Sequence, residues 1–103
     1  MATLKIKATP EAVRFFKNKL TGGQIYLNGM YIYDLGKLFS YQNIFFDKTV
    51  YKTTLASGVH AIEVQRGMLG GSTQETFSVQ GDENITAEIH ITAFLRRLVI
   101  SIW

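Results

Sequence analysis

The sequence has no cysteine, a single proline and no apolar run near the ~20 residues of a membrane-spanning helix. The missing cysteines exclude disulfide staples, thiolate metal sites and cysteine nucleophiles. The opening Met1-Ala2-Thr3-Leu4-Lys5-Ile6-Lys7 has no apolar h-region, so no signal peptide is expected. That leaves a cytoplasmic protein or a fragment of an envelope protein as the two expected settings. Charge is also sparse, at 18% of residues against 47% hydrophobic, which favours a folded core over disorder. At 103 residues the expectation is one domain over 1–103, large enough to bury roughly 60–70% of its unfolded surface.

What charge there is lies unevenly. Residues 1–52 hold eight Lys/Arg against three Asp/Glu, and residues 53–103 hold three against five. A basic first half suits phosphates, anionic lipid or an acidic partner, or is simply a mixed solvated surface.

Alternation dominates the chain. Leu4, Ile6 and Ala8 interleave with Lys5 and Lys7, the period of a strand with one wet face. Thr9-Pro10-Glu11 reads as a helix start, with a capping threonine, proline at the first position and an early acid. A short helix near residues 10–20 is predicted, although Val13–Leu20 is also compatible with an extended segment. Asn28-Gly29 between β-formers marks a hairpin with a type I′ turn. Ile25 and Leu27 are expected to face the core, with Tyr31 and Tyr33 sharing one face of the return strand.

Further on, Thr49–Leu55 resumes a strand, and Gly58 lets the chain turn into Val59–Arg66. There His60, Ile62 and Val64 share one face. Gly67–Ser72 is a glycine-rich connector. Phe77 and Val79 then face inward, as do Ile85, Ala87, Ile89 and Ile91 after a Gly81–Asn84 turn, and Leu98, Ile100 and Ile102 form a last strand. The expected fold is all-β: a sandwich of about seven mostly antiparallel strands, of immunoglobulin or transthyretin type.

The chemical leads are thin. His60 and His90 lack partners at ligand spacings, so no metal site is expected. Ser57 and His60 lie three apart without a residue marked to orient the histidine, so no catalytic residue is assigned. Gly67–Ser72 lacks the lysine and following helix of a phosphate loop. Asn84-Ile85-Thr86 matches a glycosylation acceptor without an export signal beside it. Arg14, Lys17 and Lys19 with Phe15 and Phe16 come nearest to a nucleic-acid surface, but core phenylalanines and solubilising lysines explain them as well. The densest unexplained feature is the aromatic stretch Phe39, Tyr41, Phe45, Phe46, with Tyr51 close behind. Those five residues form the candidate interaction surface, either capping the sandwich or offering a patch to a partner.

Two stretches carry a family resemblance. Residues 24–36, QIYLNGMYIYDLG, resemble the hairpin of PEGA-type bacterial β-sandwich domains, and 55–64, LASGVHAIEV, resemble their turn and strand. Residues 74–84 are similar to the closing hairpin of related uncharacterised bacterial domains. Ala56 stands where the pattern has proline, and residues 37–48 lengthen one connection. The resemblance implies a non-catalytic accessory module. The expected function is thus non-enzymatic: protein–protein contact with an unidentified partner, or self-association as a homo-oligomer, with no cofactor. A small glycan- or polymer-binding module using residues 39–51 is the alternative, and nucleic acid is not the expected ligand.

Overall fold

The computed structural model describes residues 1–12, 23–34, 49–65, 72–92 and 98–103. They form eight strands: β1 (Ala2–Ala8), β2 (Gln24–Leu27), β3 (Met30–Asp34), β4 (Thr49–Leu55), β5 (Gly58–Gln65), β6 (Ser72–Val79), β7 (Asn84–Ile91) and β8 (Leu98–Ile102). Two four-stranded sheets result, the first in order β4-β1-β7-β8 and the second β3-β2-β5-β6. All pairings are antiparallel except β1 with β7. The fold is all-β and sandwich-like, as the alternation implied.

The period-2 pattern explains the layering. On the first sheet Leu4, Ile6, Ile85, Ala87, Ile89, Leu98 and Ile100 point inward and are buried; on the second, Ile25, Ile62, Val64 and Val79 do the same. No polar or charged residue is buried among the described residues. The core is therefore held by apolar contact alone, and a one-residue slip of any central strand would turn its aliphatics to water.

Helical structure begins where the capping signal lies. Pro10–Ala12 are helical, and Thr9 Oγ1 accepts the Ala12 amide at 3.2 Å. The rest of the predicted helix, 13–20, lies outside the described residues, as do Arg14, Lys17, Lys19, Phe15 and Phe16.

The hairpin forms at Asn28-Gly29, whose φ angles of 53° and 81° are both positive, as a type I′ turn requires. One expectation fails there. Ile25 pairs with Tyr33 but Tyr26 pairs with Tyr31, so Ile32 is an extra residue in β3. This bulge puts Tyr31 and Tyr33 on opposite faces instead of one. Tyr33 packs against the core beside Ile32, and Tyr31 turns to solvent.

Candidate interaction surface

Of the five residues first picked out, Phe39, Tyr41, Phe45 and Phe46 lie outside the described residues. Tyr51 is placed. It sits on the inner side of β4, opposite Ile6, half-buried and packed against the core. Its ring meets that of Tyr33 at a centroid distance of 6.4 Å, joining the β4 edge of one sheet to the β3 edge of the other. Burial, followed by the negative charges of Asp34 and Tyr31, raises the Tyr33 phenol above its ordinary value of 10.0.

The outer face of the second sheet carries a different aromatic feature. Tyr26 and Tyr31 are opposite one another, and their rings meet edge to face at 5.9 Å and 73°. Val59 on β5 shares this face and is 73% exposed, whereas Met30, 70% exposed at the hairpin tip, is opposite Leu27 and so belongs to the other face. Glu63 lies opposite Tyr26 on the same face and accepts from Gln65 Nε2 at 3.5 Å. An apolar and tyrosine-rich patch with a carboxylate at its margin thus faces water. The alternation of Tyr26 against Ile25 and Leu27 signals its first residue; the expectation that Tyr31 shares a face with Tyr33 fails because the bulge is not visible in the local pattern.

Beside this patch the Asn28 side chain ties the hairpin to β5. Its Nδ2 donates to His60 Nδ1 at 2.9 Å, its Oδ1 accepts the Ala61 amide at 2.8 Å, and its own amide donates to the Ala61 carbonyl at 2.8 Å. With Nδ1 accepting, His60 is the Nε2–H tautomer, and that proton goes to the Ala56 carbonyl at 2.8 Å. The ring also lies against Phe77, 5.9 Å between centroids. Both ring nitrogens are thereby taken, and neither is turned toward Ser57, whose Oγ accepts the Gly81 amide at 3.3 Å. His60 shares its face with Ile62 and Val64, as its phase predicted. Its role here is to hold the β4–β5 turn and the hairpin together.

His90 is on the outer face of the first sheet, with Nε2 2.9 Å from Ser101 Oγ. Asn84 is exposed at the start of β7. Among the described residues no group of three His, Asp or Glu comes together as a metal set, and no helix is long and apolar enough to cross a membrane. Comparison with protein-family models, with curated proteins and with solved structures finds no match.

Proposed function

We propose that this chain is a non-catalytic β-sandwich interaction domain, making protein–protein contacts through the outer face of the β3-β2-β5-β6 sheet with a partner protein or a second copy of itself. The observation that carries this reading is the solvent-facing Tyr26–Tyr31 pair, with exposed Val59 on the same face of the sheet. Tyrosine is enriched in interface cores, where rigid aromatic area is buried at little conformational cost. The Asn28–His60 ties supply support of another kind, because they hold the hairpin that presents the patch. The likeness of residues 24–36 and 55–64 to PEGA-type accessory modules points the same way.

A photo-crosslinking group placed at Tyr31 tests it, with the same group at Thr54 on the other sheet as control. Intermolecular product at 31, mapped to a second copy or to one partner protein and lost when Tyr26 and Val59 become serine, supports the reading. Product no greater at 31 than at 54 ends it.

A further inference from the structure

The outer face of the first sheet carries a row built from four strands. Lys52 on β4 is directly opposite Lys5 on β1, Lys5 is level with Thr86 on β7, and Thr86 exchanges both backbone hydrogen bonds with Trp103 at 2.7 and 2.9 Å. Lys5 and Lys52 are exposed, and Trp103 is 61% exposed. The neighbouring row is Thr54, Thr3 and Asn84, neutral groups that both donate and accept. Between the two rows lies a shallow depression of about 300 Å³, lined by Thr3, Lys5, Lys52, Asn84, Ile85 and Thr86.

Two observations mark this row as more than a wetted face. Like charges directly opposite on adjacent strands destabilise a sheet, yet Lys5 and Lys52 are set side by side, and no carboxylate among the described residues pairs with either. Glu88, the carboxylate on this face, is level with Lys7, one row away. An anion lying between the two ammonium groups would relieve their repulsion. The second observation is the exposed indole on the same row. Lys5 and Trp103 are two strand spacings apart, about 10 Å, so a ligand meeting both must be extended and must offer an anionic group and a flat face.

We propose that this row binds an acidic oligosaccharide, with a carboxylate or sulfate between Lys5 and Lys52, a sugar ring on Trp103, and hydroxyls on Thr3, Thr86 and Asn84. Single-stranded nucleic acid shares the charge but stacks successive bases on several aromatic platforms, and here one indole stands among hydroxyl and amide groups. The assignment does not rest on the opposite sheet's face and stands or falls separately.

Trp103 is the only tryptophan in the chain, so its emission reports occupancy at the site itself. The full chain is titrated with a galacturonate hexamer, a heparin hexasaccharide, neutral cellohexaose and an oligothymidylate. Saturable change in Trp103 emission with one or both acidic sugars, weakened by salt and absent with cellohexaose, is the expected result; the two acidic arms separate carboxylate from sulfate. Lys5→Gln/Lys52→Gln should weaken binding about tenfold or more, as expected for losing hydrogen bonds to charged groups, with the circular dichroism spectrum unchanged. Lys7→Gln should leave it within about twofold, being outside the row. Calorimetry on Trp103→Ala should show weakened binding without the optical probe. No response to either acidic sugar, an equal response to cellohexaose, tighter binding of the oligothymidylate, or unchanged affinity in the folded double variant would each overturn the proposal.

Discussion

Asn28 reaches across 32 residues of sequence to donate its side-chain amide to His60 Nδ1 at 2.9 Å, while its Oδ1 receives the Ala61 amide at 2.8 Å. One residue thus closes the β2–β3 hairpin, with φ at 53°, and also fastens it to the central strand β5. The two jobs separate by substitution. Asn28→Gly keeps the left-handed backbone free of strain and loses the side-chain bonds, which should lower unfolding free energy by about 1–2 kcal/mol. Asn28→Ala adds a Cβ in a left-handed conformation and should lose roughly 1 kcal/mol more. Urea denaturation of both variants measures the difference; equal losses would mean that the positive φ contributes nothing.

His60 is the other end of that tie. His60→Leu keeps bulk beside Phe77 and removes both ring hydrogen bonds, so stability should fall by about 1–2 kcal/mol. Crosslinking at Tyr31 should be unchanged in the folded variant, since the ring faces the core side with Ile62 and the Tyr26–Tyr31 patch lies on the other. A selective loss of crosslinking at full stability would move His60 from scaffold to binding surface.

Gly58 opens β5 at φ 137°, and nothing lies within 4 Å of where a Cβ would stand. Its requirement for glycine is therefore conformational and not steric. Gly58→Ala and Gly58→Ser should each cost about 1–3 kcal/mol, and by similar amounts, because the larger side chain meets no neighbour. Thermal melts of the pair decide this, with a much larger loss for serine counting against it.

The parts of the fold that could be read from the sequence are those fixed by local chemistry. Leu4-Lys5-Ile6-Lys7 alternates because β1 has one face on the core, and Asn28-Gly29 turns because those residues accept positive φ. The Ile32 bulge could not be read this way, since it exists only in the pairing of β3 with β2. Nor could the first half of β6. Ser72-Thr73-Gln74-Glu75 lies at a sheet edge with both faces largely wet, so no apolar period marks it, and only its first residue falls in the expected Gly67–Ser72 connector. Glu75, opposite Ile62 yet exposed, places a charge on the inner side of that edge, a device that discourages edge-to-edge pairing. The lysine row was hidden for a related reason. Lys5 and Lys52 are 47 positions apart and become neighbours only through the β1–β4 register.

Tyr33 supplies the pH dependence. Its ring is packed at the sandwich edge against Tyr51, and burial, then Asp34 and Tyr31, raise its pKa above 10.0. A phenol whose folded pKa is raised keeps its proton where the unfolded chain has begun to lose it. The unfolded state then binds fewer protons, so stability falls as pH rises. Its contribution is fully present below about pH 10, the ordinary value, and is lost as pH climbs through the folded pKa. Tyr33→Phe removes the titrating group and keeps the ring. Denaturant midpoints for wild type should therefore drop more steeply above pH 10 than those of Tyr33→Phe, with the two running in parallel at neutral pH. Phenolate absorbance in the folded chain should lose a component titrating above 10.0 in the same variant. Identical alkaline slopes for the two proteins would show that the Tyr33 hydroxyl is as well solvated in the sandwich as in the unfolded chain.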